Sequence, residues 1–260
     1  MRITKVCSLL LLSLSLQSFA NYDILRTMDR PQLTEKPHTL GLGLFQIEGT
    51  ALQYSYEKSG KYWAHDLKLF PVTAKYGVAE KVDLSLSVEP FEHLKSRNSR
   101  SKNGFGETRL GGEYTFWENQ EFNSAISAAP FVKFPTNTGG LSNNAVEFGV
   151  KAPFTMELEH EFTFGAMLEL DVYEDLDGKG YHIELVNSVS ITRPVFDSAA
   201  LYGEYYSRNS FEDFAPWNSQ LGMGGIFALN DKALLDASIR WGLTEAAYDF
   251  QFLAGGTYRF

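Results

Sequence analysis

The chain of 260 residues has one cysteine, Cys7, and it lies among the first twenty residues. The rest can hold no disulfide, no cysteine-bound metal and no thiol chemistry. Long apolar runs are equally scarce. After residue 20 no segment offers the roughly 20 uncharged apolar residues of a membrane helix. That excludes helical spans but not a membrane β-barrel, whose strands turn half their side chains to a polar interior. Positive charge is also short, with 23 Lys and Arg against 32 Asp and Glu. A nucleic-acid partner would want the opposite sign. Catalytic signatures are missing as well: there is no G-x-S-x-G, H-E-x-x-H or P-loop. The five histidines open HTL, HDL, HLK, HEF and HIE, so none forms the His-x-Ser pair of barrel phospholipases. We therefore expect no enzyme, no metal and no cofactor.

What is present begins with an export signal. Arg2 and Lys5 precede VCSLLLLSLSL, an apolar core too short to span a bilayer, and Ser18 and Ala20 are the small residues read at cleavage. The alternative, a buried N-terminal helix, lacks an amphipathic partner. Cleavage after Ala20 leaves 21 basic and 32 acidic residues, a net charge of −11. An exported chain of this size without cysteine needs another stabilising device, and sheet closure supplies one. Residues 21–40, with Pro31 and Pro37, read as an extended periplasmic segment, and 41–260 as one domain.

From Gly41 onward the chain alternates with period two. At the C-terminus Phe250, Phe252, Ala254, Gly256, Tyr258 and Phe260 share one face, while Gln251, Leu253, Thr257 and Arg259 share the other. KALLDASIRWG, FTFGAMLELDV, AVEFGVKAPF and KVDLSLSVEPF repeat the pattern. About twelve such runs occur, near 43–57, 63–76, 82–92, 105–117, 122–134, 144–157, 161–173, 180–193, 197–208, 217–229, 232–242 and 247–260. In the first, Gln53 and Ser55 break the face set by Phe45 and Ile47, which predicts a bulge. Every second connection is short: GVAEK, ENQE, ELEHE, RPVFD and LNDK. The others include HLKSRNSRSKNG, PTNTGGLSNN, YEDLDGKG and SRNSFEDFAP. Outer-membrane barrels show this asymmetry, with tight periplasmic turns and longer outer loops. A soluble β-sandwich or lipocalin-like barrel has no reason to keep the parity. The expected fold is all-β: an antiparallel transmembrane β-barrel of about twelve strands in the outer membrane.

Several stretches carry a resemblance. DRPQLTEKPHTLGLGLFQIEG places Asp29, Arg30 and Pro31 before Gly43, Gln46 and Glu48; GFGETRLGGEYTF contributes Gly104, Gly106 and Glu107; PFVKFPTNTGG contributes Pro130, Lys133, Pro135 and Thr136. AMLELDVYEDLDGKGYHIELVNSVS adds Glu169, Asp171, Asp177, Gly178, Gly180, His182, Glu184 and Asn187. In this order the stretches resemble an outer-membrane transporter family labelled for a meta-pathway of phenol degradation. The resemblance runs over most of residues 28–207 and implies a membrane β-barrel that takes up small organic molecules. The label names a pathway neighbourhood, so it implies transport rather than phenol as the solute.

Alternation places many charges on the inner face. The candidates for lining the lumen and contacting solute are Glu48, Arg109, Glu113, Lys133, Glu147, Lys151, Glu169, Asp171, His182, Glu184 and Arg240. Both signs occur, so Lys133 or Lys151 can pair with Glu147 or Glu169 across strands. They could filter a permeant or form a paired network that props or plugs the barrel. Eight strands pack shut and sixteen leave a channel, so twelve permits a thin pore or a nearly filled lumen. His182 and Glu184 could suggest acid–base chemistry, but no nucleophile joins them by motif. EDLDGKG lacks the spacing of a calcium loop and reads as a solvated turn. Lys95, Arg97, Arg100 and Lys102 make one basic loop, which reads equally as a lipopolysaccharide contact or as a solvated, mobile loop. The terminal Phe260 resembles the signal that barrel-assembly machinery reads. The leading expectation is passive passage of small organic solutes, aromatic molecules among the candidates. The alternative is a closed structural barrel with partner-binding loops, and the third a barrel hydrolase.

Overall fold

In a computed structural model the protein is described at Leu25 and over 28–260, apart from residues 98, 176, 213 and 214. The export signal and the cleavage point lie outside these residues. Fifteen hydrogen-bonded segments form one sheet, and its last segment pairs with its first. The segments make twelve strands, three of them interrupted. β1 is Phe45–Ser59; β2 comprises Tyr62–Leu69 and Val72–Ala79; β3 comprises Val82–Val88 and Phe91–Ser96; β4 comprises Lys102–Gly104 and Thr108–Asn119. β5 is Ser124–Phe134, β6 Glu147–Glu157, β7 Thr163–Glu174 and β8 Tyr181–Phe196. β9 is Ala199–Ser210, β10 Asn218–Asn230, β11 Ala233–Gly242 and β12 Phe250–Arg259. Every neighbouring pair is antiparallel, and closure runs from Gln46 opposite Arg259 to Tyr56 opposite Phe250.

The interruptions have a chemical cause. Pro71 and Pro90 have no N–H to give to a ladder. Between β2 and β3 the pairing stops after Leu69–Phe91 and resumes at Val72–Val88, which leaves the two prolines in one gap. The adjoining break in β4 is bridged by Glu89, whose N–H donates to Glu107 O at 3.1 Å and whose carbonyl accepts from Gly106 N at 2.8 Å. The bulge expected in β1 falls at Ala51, where the register against β12 slips between Thr50 and Leu52. Gln46, Glu48 and Thr50 are buried before it and Ser55 after it, so the extra residue switches which parity faces inward.

The short connections, 80–81, 120–123, 158–162, 197–198 and 231–232, all lie at one end of the barrel. The other end carries 97–101, 135–146, 175–180, 211–217 and 243–249, with 60–61 as its single tight turn. The basic loop is shorter than the sequence suggests. His93 and Leu94 pair with Asn103 and Lys102, so the hairpin continues almost to its tip. Lys102 is drawn across to the carbonyl of Gly140, at 2.5 Å.

The surface is inverted relative to a soluble protein. Leu86, Leu110, Phe148, Leu168, Leu170, Leu201, Met223 and Leu235 all point outward and are exposed. Glu48, Asp83, Lys133, Glu147, Asp171, Glu204, Asp236 and Arg240 are buried. A band of exposed apolar side chains around a closed sheet of this kind is made for lipid.

Residues 21–40 look from sequence like an extended segment outside the barrel. Their described part, 28–40, instead runs inside the wall. Leu40 N donates to Asp83 of β3, at 2.8 Å, and Pro37 O accepts from Thr115 of β4, at 2.9 Å. Glu35 pairs with Lys151 of β6. Leu33 N and Thr34 N donate to Glu204 of β9, and Thr34 Oγ1 donates to Ser188 of β8. Arg240 of β11 donates to Pro31 O. Arg30 reaches Asp236 of β11 and Thr50 of β1, and Asp29 pairs with Lys75 of β2. A segment this short can meet strands all round the circumference only from within. Its own turn is closed by Asp29 Oδ1, which accepts from Lys36 N at 2.7 Å.

Two glycines make room for it. A Cβ on Gly77 would stand 1.8 Å from Gly41 O, where the chain turns into the barrel. A Cβ on Gly255 would stand 2.4 Å from Arg30 Nη2.

Candidate functional site: a divided lumen

All eleven side chains singled out from sequence lie on the inner face. They separate into two levels. Glu48, Glu113, Lys151 and Arg240 border residues 28–40 and belong to the seat of the internal segment. Lys75 joins Asp29 to Glu48, with Nζ 3.1 Å from Glu48 Oε1. Glu113 accepts from Ser127 Oγ at 2.6 Å. The seat also has an apolar corner: Leu25 and Met28 pack with Ala200, Ile226, Ala228 and Leu234, all on inner positions of β9–β11. Those four residues are the sequence signal that went unread, because inner positions there are apolar where a wet lumen would be polar.

Toward the long-loop end the lumen opens into a cavity of about 460 Å³, lined by Glu107, Arg109, Lys133, Glu147, Tyr173, His182, Glu184 and Arg208, with residues of the outer loops. Here Lys133 pairs with Glu147, the strand neighbour expected from sequence, and its Nζ also lies 2.9 Å from Glu107 Oε1. Arg109 Nη2 reaches Glu107 Oε2 at 3.1 Å. A second cavity, of about 180 Å³, lies between the wall and the internal segment and is lined by Asp29, Glu35, Lys75, Glu113, Phe131 and Lys151 among others.

Arg109 lines both cavities. Its guanidinium carbon is 5.3 Å from the ring centre of Phe131, and Lys151 Nζ is 5.4 Å from the same ring. Two cations thus flank one aromatic ring at the division between the chambers. Lys151 and Glu169 face each other in register. The ammonium nevertheless bonds to Glu35 of the internal segment, a partner that strand alternation could not reveal. Gly149 permits the crowding: a Cβ there would stand 2.1 Å from Asp171 Oδ1 and 2.7 Å from the Phe131 ring. Phe131 and Tyr173 share the inward parity of Lys133 and Asp171, but a selection of charged side chains passes over them; the Tyr173 ring lies 5.6 Å from Lys133 Nζ inside the upper chamber.

The residues of the first resembling stretch anchor the internal segment: Asp29 to Lys75, Arg30 to Asp236, Pro31 to Arg240. Those of the middle stretches, Glu107, Lys133 and Glu184, line the upper cavity. Residues 28–260 match the family described as "Putative MetA-pathway of phenol degradation". The chain belongs to that family. No curated protein matches it. Among solved structures, an outer membrane channel from Pseudomonas putida F1 is similar over 86% of this chain and 98% of its own, at TM-score 0.74 and 13% identity. The NanC porin is similar over 82% and 98%, at 0.52 and 9%. The translocator domain of the autotransporter NalP from Neisseria meningitidis is similar over 86% and 91%, at 0.52 and 11%. At these identities the likeness concerns the fold, which is the closed twelve-stranded antiparallel barrel of outer-membrane proteins.

Proposed function

We propose that this family member is an outer-membrane channel that passes small organic solutes without energy coupling of its own. The long-loop end faces outward and the short turns face the periplasm. The observation that carries this reading is the partition of the lumen. Its barrier consists of side chains and one chain segment, not of wall. The segment is held largely by hydrogen bonds and ion pairs, which water and solute can exchange at low net cost. Arg109 and Lys151 about Phe131 suit a small aromatic molecule bearing an acidic or hydroxyl group. That chemistry is compatible with the phenol in the family description.

Flux into liposomes tests it. Purified protein should admit phenol and benzoate faster than sugars of similar mass, and Arg109→Ala should blunt the preference. Absence of flux for every solute, in the wild type and in a chain lacking 28–40, would contradict the reading. That outcome would favour a closed structural barrel, a reading that the many anchors of residues 28–40 support. Its partner would be lipopolysaccharide, met by Lys95, which lies on the outer surface 6.0 Å from the Trp63 ring.

Assembly would depend on Phe260. Its N–H donates to Phe45 O at 2.8 Å, and its ring lies 5.5 Å from that of Phe45, so the last residue completes the seam. Deleting Phe260 should reduce the folded protein recovered from outer membranes while leaving export intact.

A further inference from the structure

Above the upper chamber, three separate parts of the chain converge on one imidazole. Asp175 opens the loop after β7, His182 is the second residue of β8, and Glu212 lies in the loop after β9. One ligand atom from each falls within 4.8 Å of the other two. His182 Nδ1 is 3.0 Å from Asp175 Oδ1 and 3.9 Å from Glu212 Oε2. The ring's other nitrogen, Nε2, faces Glu184 Oε1 at 3.5 Å. Glu184 is only 8% exposed, and its second oxygen, 3.6 Å from Arg208 Nε, makes no hydrogen bond.

We propose that Asp175, His182 and Glu212 form a binding site for a divalent transition-metal ion of the zinc type, tying two outer loops together at the mouth of the lumen. The geometry fits. Zinc bonds to nitrogen and carboxylate oxygen of about 2.0–2.2 Å at tetrahedral angles set neighbouring donors roughly 3.3 Å apart. The two measured separations bracket that spacing. The tautomer fits as well. With its proton on Nε2 toward Glu184, the ring turns the Nδ1 lone pair to the Asp175 and Glu212 carboxylates, and a metal ion there would replace the hydrogen bond that Nδ1 and Asp175 Oδ1 otherwise share at 3.0 Å. A carboxylate behind the second ring nitrogen is the usual support of a metal-bound histidine. Mixed imidazole and carboxylate donors select zinc, copper or nickel over calcium and magnesium. Three protein ligands leave a fourth position for water or solute, and His182 and Glu212 both border the upper chamber.

The donors are also held in place. Asp175 N donates to Gly180 O at 3.0 Å, and Gly178 N donates back to Asp175 O at 2.8 Å. Phe211 N donates to Ile183 O at 2.9 Å, which sets Glu212 beside β8. The other loop acid, Asp177, serves its own turn by accepting from Lys179 N at 2.9 Å. EDLDGKG is thus not a calcium loop; it contributes one ligand to a site completed by residues distant in sequence.

Titration calorimetry of zinc chloride into the folded, metal-stripped protein in detergent at neutral pH tests the site. One zinc per chain should bind, and millimolar calcium should not displace it. His182→Ala should abolish saturable binding, and Glu184→Gln should weaken it about 10–100-fold at unchanged stoichiometry. No stoichiometric zinc in the wild type, or equal binding by His182→Ala, would overturn the proposal. Should His182→Ala fail to fold, the double variant Asp175→Asn with Glu212→Gln must lose zinc instead, and its retention of zinc would equally overturn it. Binding is measured without flux, so this site and the channel reading can fail separately.

Discussion

The two halves of the lumen are built from the same wall yet filled differently. Around the internal segment, inner residues such as Asp83, Glu204, Asp236 and Arg240 meet the backbone and side chains of residues 28–40. Toward the long loops, inner residues such as Lys133, Glu107 and Glu147 meet one another around an open cavity. The charges alone do not tell the halves apart. What differs is whether a buried charge finds its partner on a strand or on an internal segment. In the first case the lumen props itself open; in the second the wall needs the segment, and the segment needs the wall.

Removal of residues 28–40 should have the largest effect. It strips the lower half of its filling and should raise ion conductance several-fold, read in planar bilayers. It should also lower thermal stability, because Asp236 and Glu204 lose their partners. Arg30→Ala comes next. The Arg30–Asp236 pair has an Nη2–Oδ1 distance of 2.8 Å, and the Asp236 side chain is fully buried. Breaking such a pair from one side costs about 3–5 kcal/mol. If the loss falls on seating the segment, its displaced population rises roughly a hundred-fold or more, seen as frequent open bursts. Arg109→Ala should be milder for stability. Arg109 and Glu107 are partly solvated, and a pair of that kind contributes about 0–1 kcal/mol. Its effect should appear as a shift of ion selectivity toward cations, in reversal potentials, with the melting temperature nearly unchanged. Equal destabilisation by the Arg30 and Arg109 variants would erase the distinction between the halves.

Much of the wall was legible. Period two identifies twelve strands and their faces, because a strand with lipid on one side and water or charge on the other has no other way to alternate. Loop parity identifies the two ends. The interruptions at Pro71 and Pro90 were present in the sequence but hidden, since each falls inside an expected strand, 63–76 or 82–92, whose alternation was followed across the proline. The internal segment was not legible at all. Its contacts join residues up to 231 positions apart, and nothing in DRPQLTEKPH distinguishes a strap outside a barrel from one within. The only pointers were the apolar inner positions Ala200, Ile226, Ala228 and Leu234, which make sense once Leu25 and Met28 rest on them. The eleven candidate charges were placed on the inner face by parity, yet parity could not say which of them serve the segment and which the open chamber.

The central claim is that residues 28–40 form the removable part of the barrier. Single-channel recording of the wild type beside the chain lacking those residues tests it most directly. The account predicts a small, noisy conductance for the wild type and a large, steady one for the deletion, from barrels that remain folded. Indistinguishable conductances from two folded barrels would contradict it.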